Sequence, residues 1–267
     1  MRAVGIDVGG TKIAAGLVDC ERGRVLARAE TATRPERGGA AVLADCGALA
    51  RALGNNVSVG IVLCELIGAD GTPASADTVD WLGVDVRAAI ETPAVVLESD
   101  VRAAARAEAR FGAGKGHSPF LYVGVGTGAS ACLVVDGEPF AGSRGFAIVL
   151  GAPPVKLVAS GPALARRAGL GRAEEVLADP SRDGIVEEAA AALGQVLAVL
   201  VNALDPERVV VGGGLGRQPR FLRLVAAAAH DLIAYPGVRR VEFVGAELGA
   251  DGGVIGAALA ALGPAGR

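Results

Sequence analysis

The chain has 267 residues, of which 51% are hydrophobic and only 3% aromatic, so a core large enough for two domains must be built from Ala, Val, Leu and Ile. Its formal net charge of −3 argues against a nucleic-acid-binding protein, because neutralising phosphates requires a basic face. The four cysteines have no spacing typical of zinc sites or disulfide frameworks, which fits free thiols in the cytoplasm.

Neither the start of the sequence nor its most apolar stretch indicates a membrane protein. The chain enters an apolar strand directly after its first residues, so we expect no signal peptide. The most apolar stretch, 185–204, contains Glu187, Glu188 and Gln195. These polar residues favour a buried helix over a membrane span.

The first half of the chain is predicted to open with a three-stranded antiparallel meander. The strands are expected at 3–6, 12–18 and 24–29. A helix over 39–53 and a buried strand over 57–63 follow. After a polar stretch over 68–92, the pattern predicts a strand at 94–97 and a helix from Asp100 to about Gly112.

The second half repeats this pattern after a glycine-rich linker at 112–119. Strands are predicted at 120–125, 130–135, 138–140, 209–211 and 241–244, and helices from near Ser160, from about Ser181 to Asp205, over 220–232 and over 253–262. We therefore predict an α/β protein of two domains, 1–115 and 116–252, in which the closing helix 253–267 packs back on the first. A ligand cleft is expected between them.

Three glycine-rich turns follow predicted strands. They are Asp7-Val8-Gly9-Gly10-Thr11-Lys12, Gly124-Val125-Gly126-Thr127-Gly128 and Gly212-Gly213-Gly214-Leu215-Gly216. Backbone amides in such turns can bind phosphate oxygens, although any one of them could be an ordinary hairpin. The sequence contains no P-loop motif. The second turn formally matches a dinucleotide fingerprint, but a predicted strand follows it where that motif needs a helix.

The first turn carries the most specific set of side chains. A carboxylate (Asp7), two glycines (Gly9 and Gly10), a hydroxyl (Thr11) and an ammonium (Lys12) lie within six residues. Such a set could hold a hydrated Mg²⁺ through Asp7 and bind phosphate groups.

Four motifs in order resemble those of the ROK family (repressors, open reading frames, kinases), in the sugar-kinase branch of the actin/hexokinase superfamily. They are Gly5–Lys12, Gly126-Thr127-Gly128 with Val134–Gly137, Asn202–Pro206 with Val209–Gly214, and Leu248–Gly253 with Gly256-Ala257-Ala258. The resemblance spans nearly the whole chain and implies the two-domain actin/hexokinase-like (ribonuclease H-like) fold.

The resemblance also implies an activity and its residues. It implies phosphoryl transfer from ATP with Mg²⁺ to a hydroxyl of a sugar-like acceptor, in a homodimer. The nucleotide would lie on Gly126, Thr127, Gly128, Gly213, Gly214 and Leu215 together with the first turn. Asp100, in Glu98-Ser99-Asp100, matches the family's catalytic base. Taken alone, Asp100 could instead be a helix cap.

The positions that would contact the acceptor depart from the family pattern. Cys64-Glu65 replaces Pro-Gly, and Asp77 and Ser99 each replace Asn. Val149 and Ala152 replace a Glu that binds sugar hydroxyls and a His that binds zinc, and the zinc loop is absent. We therefore expect no zinc and discrimination against glucose.

The substrate-binding residues are predicted to be Glu65, Asp77, Ser99 and Asp100. The expected acceptor is an amino sugar, a cyclitol or another polyol, and the acidic Glu65 and Asp77 would suit an amine, although Glu65 could also be a solvated loop residue. The alternative function is a catalytically silent regulator that binds nucleotide or a metabolite. A DNA-binding repressor is disfavoured, because only four residues precede Gly5.

Overall fold

The computed structural model describes residues 1–81, 83–86, 90, 92, 94–147 and 155–263. The chain forms two compact units, Met1–Gly112 with Glu138–Ala147 and Ala250–Arg267, and Ala113–Gly137 with Ile148–Gly249. The sequence predicted a boundary at 115 and a continuous second domain over 116–252. The observed division differs most at Glu138–Ala147, which groups with the first unit.

The predicted strands and helices are present in the predicted order, together with three short helices that the sequence did not predict, at 155–158, 173–178 and 213–216. The strands are β1 (Arg2–Val8), β2 (Lys12–Asp19), β3 (Arg24–Ala32), β4 (Val59–Leu63), β5 (Val95–Ser99), β6 (Phe120–Val125), β7 (Ala129–Val135), β8 (Glu138–Pro139), β9 (Arg208–Gly212) and β10 (Glu242–Gly245). The helices are α1 (Gly39–Leu53), α2 (Asp100–Phe111), α3 (Val155–Val158), α4 (Gly161–Ala168), α5 (Ala173–Ala178), α6 (Asp183–Leu204), α7 (Gly213–Gly216), α8 (Pro219–His230) and α9 (Gly252–Ala261).

The sheet of the first unit has the strand order β3-β2-β1-β4-β5. Strands β1, β2 and β3 are antiparallel neighbours, which confirms the predicted meander. Strands β1, β4 and β5 run parallel to one another. Since parallel strands end at the same edge, the residues that follow β1, β4 and β5 share that edge of the sheet.

The closing helix α9 lies directly on this sheet. A Cβ atom built on Gly5 of β1 would be 1.9 Å from the Val254 carbonyl oxygen, and one built on Gly60 of β4 would be 1.8 Å from the Ala257 carbonyl oxygen. Only glycine allows the two backbones to approach this closely. Helix α2 also packs against α9. The helix that begins at Asp100 is thereby fixed relative to β1.

The second unit repeats the same topology. Strands β10, β9, β6 and β7 are neighbours in this order, with β6 antiparallel to β7 and parallel to β9. This arrangement corresponds to β5, β4, β1 and β2, as the predicted internal duplication implies. Helix α6 is long and apolar enough to cross a membrane by length and composition alone. One face of it, including Leu193, Leu197 and Val201, is buried in the core of this unit.

Candidate active site

Asp100 lies where strand β5 passes into helix α2. The Ser99 hydroxyl oxygen caps this helix by accepting a hydrogen bond from the Arg102 amide at 3.4 Å. The capping role that the sequence left open for Asp100 therefore belongs to Ser99. The Asp100 Oδ1 atom accepts a hydrogen bond from the Val101 amide at 2.7 Å, which orients the carboxyl group.

The Asp100 carboxyl is unusually basic for an aspartate. The residue has exposed surface, but its carboxyl is recessed among protein atoms. The loss of bulk water and, to a smaller extent, the negative charge of Glu65 raise its pKa from 3.8 to about 6, against the opposing effect of the hydrogen bond from Val101. A carboxyl with this pKa is mostly ionised at neutral pH and still a competent proton acceptor.

Asp7 lies near the end of β1 and is electrostatically coupled to Asp100. Burial and, to a smaller extent, the negative charge of Asp100 raise the pKa of Asp7 to about 7, against the opposing effect of the Lys12 ammonium. The first turn of α9 covers this carboxyl, since a Cβ atom built on Gly253 would be 2.2 Å from Asp7 Oδ2. Two desolvated carboxyls this close favour a bound cation, and carboxylate or water oxygens are the ligands of Mg²⁺.

The turn after β1 is held from behind by Thr33. The Thr33 side chain is buried, and its hydroxyl donates a hydrogen bond of 2.6 Å to the Gly9 carbonyl oxygen. The Thr33 amide donates to the Thr11 carbonyl oxygen at 3.0 Å, and the Gly9 amide donates to the Lys12 carbonyl oxygen at 3.0 Å. The backbone of the predicted phosphate turn is thus fixed before any ligand binds.

The exposed side of this turn carries the side chains predicted to contact phosphate. Gly10, Thr11 and Lys12 are exposed. The Lys12 Nζ atom lies 3.2 Å from Glu30 Oε2 on β3, and both side chains are largely exposed. Such surface pairs contribute about 0–1 kcal/mol, so the ammonium can exchange Glu30 for a phosphate oxygen at little cost.

Glu65 is a buried residue that organises a loop. Its Oε1 atom accepts hydrogen bonds from the Thr78 and Val79 amides at 2.7 and 3.2 Å. Its Oε2 atom accepts from the Ser75 hydroxyl and from the Asp77 amide at 2.5 and 2.9 Å. With four donors on two oxygens, the carboxylate has no acceptor site left for a substrate hydroxyl. The alternative of a solvated loop residue is wrong, since Glu65 is only 3% exposed. A direct contact between Glu65 and the substrate stays a prediction and would require Glu65 to give up one of these donors.

Of the other residues predicted to contact the acceptor, Ser99 is buried and Asp77 is exposed. Ser99 has no exposed surface and its hydroxyl oxygen caps α2, while its assignment to substrate binding stays a prediction. Asp77 is exposed on the loop that Glu65 organises. Beside this loop, burial raises the pKa of the Cys64 thiol to about 11, which keeps the thiol neutral. In the described part of the acceptor region, the predicted polar side chains that remain accessible are Asp77 and Asp100.

The second and third glycine turns meet within the second unit. A Cβ atom on Gly213, where φ is +81°, would be 2.2 Å from the Val125 carbonyl oxygen, so the third turn lies against the end of β6. The third turn is itself the short helix α7. Gly126, Thr127, Gly214 and Leu215 line a cavity of about 310 Å³. Gly128 belongs to the second turn, where its carbonyl oxygen accepts from the Gly126 amide at 2.9 Å.

The opposite wall of this cavity was not predicted from the sequence. That wall is formed by Gly161, Pro162, Ala165, Gly171, Arg172, Ala173 and Glu174. The Gly161 amide donates to the Gly126 carbonyl oxygen at 2.8 Å and thereby joins the start of α4 to the second turn. The sequence Ser160-Gly161-Pro162 indicates that a helix begins there, but it does not indicate which part of the protein that helix packs against.

Two further predictions concern residues 148–154. Val149 and Ala152, which replace the family's sugar-binding Glu and zinc-binding His, lie outside the described residues. Among the residues that the structure describes, no group of three or more His, Cys, Asp and Glu side chains is placed to hold a metal ion.

Comparison with known proteins identifies the family. The model of the ROK family matches residues 3–157 and 155–263. The chain belongs to the ROK family. A glucokinase from Streptomyces coelicolor is 31% identical over 310 residues, which cover 96% of each chain. An N-acetylmannosamine kinase from Yersinia pseudotuberculosis is 31% identical over 297 residues, which cover 97% of each chain.

A solved structure shows the same fold. The ROK glucokinase from Streptomyces griseus, crystallised with glucose and AMPPNP, superposes with a TM-score of 0.84 at 28% identity, over 99% of this chain and 100% of that one. This ROK family member therefore has the two-domain α/β actin/hexokinase-like fold that the motifs predicted, with one mixed sheet in each unit.

Proposed function

We propose that this ROK family member transfers the γ-phosphoryl group of ATP to a hydroxyl of a sugar-like acceptor, with Asp100 as the general base. The observation that carries the proposal is the position of Asp100. It begins α2 at the carboxyl end of a parallel strand, beside Asp7, with a pKa of about 6. Kinase activity is what the full-length kinase relatives lead us to expect.

Asp100 would act on the acceptor. Its carboxylate would accept a hydrogen bond from the acceptor hydroxyl and take its proton as the oxygen attacks the γ-phosphorus. Because the backbone holds Oδ1, the carboxyl is oriented before the substrate binds. This preorganisation lowers the entropic part of the barrier.

Asp7 would hold Mg²⁺ through water, and the desolvated carboxyl pair fits such a cation. When bound, the cation would supply positive charge to the phosphates. On the protein side, Gly9 and Gly10 would offer backbone amides, with Thr11 and Lys12 adding a hydroxyl and an ammonium. The fixed geometry of this turn supports the assignment.

The cavity of the second unit would take the adenosine part of ATP. Its volume, about 310 Å³, is within the range of small-molecule sites. Most of its lining is glycine backbone and small or apolar side chains, which suits a flat base, and Arg172 and Glu174 add two charged side chains to one wall. The solved glucokinase with AMPPNP supports ATP as the donor.

The acceptor would be an amino sugar, a cyclitol or a hexose. Because relatives are named glucokinase and N-acetylmannosamine kinase, a substrate panel must include glucose and N-acetylmannosamine. Asp77 and Asp100 are acidic, which favours an acceptor with a positively charged amine over one with hydroxyls alone. A cytoplasmic location, predicted from the free cysteines, and a homodimer, predicted from the resemblance, remain predictions.

The test is ADP release from Mg-ATP with a panel of hexoses, amino sugars and cyclitols, with Asp100→Asn measured alongside. Turnover on one acceptor that falls about 10²–10⁴-fold in the variant would support the proposal and name the substrate class. Nucleotide binding without turnover on any acceptor would contradict it and favour the silent regulator.

A further inference from the structure

Arg102 is a cation in an unfavourable place. It lies in the first turn of α2 and is only 4% exposed. A guanidinium is rarely buried without partners, and a positive charge in the first turn opposes the helix dipole. Neither the helix dipole nor burial favours an arginine here, so the reason must be its contacts.

The guanidinium joins three segments of the first unit. Its Nε atom donates to Glu98 Oε1 at 2.5 Å, its Nη1 atom to the Gly145 carbonyl oxygen at 2.5 Å and its Nη2 atom to the Ile67 carbonyl oxygen at 3.3 Å. Glu98 precedes Asp100 by two residues, and Ile67 follows Glu65 by two. The three contacts point in three directions, which only the planar fork of an arginine can serve at once.

The segment Glu138–Ala147 is held by α2 at both ends. Arg106, one turn after Arg102, forms an ion pair with Glu138 and lies 3.7 Å from Glu98. At the other end, Arg102 holds Gly145. The helix that presents Asp100 thus also fixes the ten residues that the sequence had assigned to the second domain.

The backbone of this segment lies in direct contact with the backbone of the turn that follows β4. The Ala69 amide donates to the Arg144 carbonyl oxygen at 3.0 Å. Gly145 has a φ of +87°, and a Cβ atom there would be 2.6 Å from the Ile67 carbonyl oxygen. Gly145 is therefore required both by its conformation and by the close approach. The Arg102 guanidinium bridges the two carbonyl oxygens, of Ile67 and Gly145, that this approach brings together.

We propose that Arg102 is a positioning residue for the acceptor: it fixes the turn after Glu65 and the segment Glu138–Ala147 relative to Asp100. The inference rests on the proposed function, since it takes Asp100 as the base. Arg102 is buried and does not itself contact the acceptor. It acts through the two backbone carbonyls and through Glu98, which adjoins the Ser99-Asp100 junction.

The kinetic test uses Arg102→Gln, with Arg110→Gln as the matched control, because Arg110 is an exposed arginine in the last turn of the same helix. We expect Arg102→Gln to raise the acceptor KM about tenfold or more while the dissociation constant for Mg-ATP stays unchanged. Arg110→Gln should match wild type in both. An unchanged acceptor KM, or equal losses of acceptor and nucleotide affinity, would overturn the inference.

A second variant tests the same contact in case Arg102→Gln fails to fold. Gly145→Ala disturbs the same contact from the other side without removing a buried charge, so it should raise the acceptor KM in the same direction. A normal acceptor KM in this variant would also overturn the inference.

Hydrogen–deuterium exchange separates this inference from the proposed function, because it needs no turnover. In Arg102→Gln we expect faster exchange over 141–147 and unchanged exchange in strand β9. Unchanged exchange over 141–147 would refute the positioning role. This result can be read whether or not wild type phosphorylates any acceptor, whereas the absence of wild-type turnover would count only against the proposed function.

Discussion

The Thr33 hydroxyl donates a hydrogen bond of 2.6 Å to the Gly9 carbonyl oxygen, and this bond fixes the turn proposed to bind phosphate. We expect Thr33→Val, which keeps the shape and removes the donor, to lower kcat/KM for ATP about tenfold. The reason is that the Gly9 carbonyl oxygen loses its partner at a cost of about 1–3 kcal/mol. Steady-state kinetics with varied ATP measure this.

Thr33→Ser is the matched control because it restores the hydroxyl. It should recover most of the activity that Thr33→Val loses. Equal losses in the two variants would mean that the methyl group, and not the hydrogen bond, fixes the turn.

Glu65 is expected to act on the acceptor through the loop that it organises. Glu65→Gln cannot accept from all four donors, so we expect a higher acceptor KM with unchanged ATP affinity. The substitution also removes a negative charge that raises the pKa of Asp100. The acid limb of the kcat/KM profile for the acceptor should therefore move to lower pH.

Ser75→Ala is the control for this variant, since it removes one donor and leaves the charge of Glu65 in place. It should leave the acid limb where wild type has it. An acid limb that moves upward in Glu65→Gln would refute the electrostatic part of the account.

Asp7 should destabilise the Mg²⁺-free protein at neutral and alkaline pH. Its pKa rises from 3.8 to about 7 on folding, so between these values the folded state binds more protons than the unfolded state. This residue therefore makes the free energy of unfolding fall as the pH rises from about 4 to about 7. We expect Asp7→Asn to melt a few degrees above wild type near pH 8, since about 1 kcal/mol moves the melting temperature by roughly 2–4 °C.

The gain should shrink towards pH 4, where Asp7 is mostly protonated in both states. Thermal melts without Mg²⁺ near pH 4, 6 and 8 measure it, with the exposed Asp231→Asn as the control. A pH-independent difference, or a variant less stable than wild type near pH 8, would contradict the assigned burial of Asp7.

Gly214 offers a direct test of the nucleotide cavity. A Cβ atom at Gly214 meets no other atom within 4 Å, and the residue lines the cavity. Gly214→Leu should fill the cavity without straining the fold and weaken ATP binding about tenfold or more at an unchanged melting temperature. Gly184→Leu is the control, because Gly184 also has open space but lies on α6. Equal affinities in both variants, measured by calorimetry, would place the nucleotide elsewhere.

The sequence predicted the order of the elements because the chain is locally consistent. Glycine and aspartate punctuate apolar runs whose length separates strands from helices, as at Val8-Gly9-Gly10 between β1 and β2. Asp100 could be found because it begins a helix directly after a strand. These features depend on residues close to one another in the chain.

Other features depend on contacts that sequence separation hides. The role of Glu65 is set by donors 10 to 14 residues away. The position of the segment Glu138–Ala147 is set by Arg102 and Arg106, more than 30 residues away. Ser99 was predicted to contact the substrate because the residue it replaces in the family pattern does so, and the cap that its hydroxyl forms on α2 was not predicted.

The most direct test of the central claim, that Asp100 is the base, is a single-turnover measurement of phosphoryl transfer with acceptor and Mg-ATP both saturating. Saturation removes differences in binding, so the rate reports the chemical step. We expect Asp100→Asn to slow this rate about 10²–10⁴-fold while the dissociation constant for Mg-ATP stays that of wild type. A rate within about threefold of wild type would show that a group other than Asp100 takes the proton.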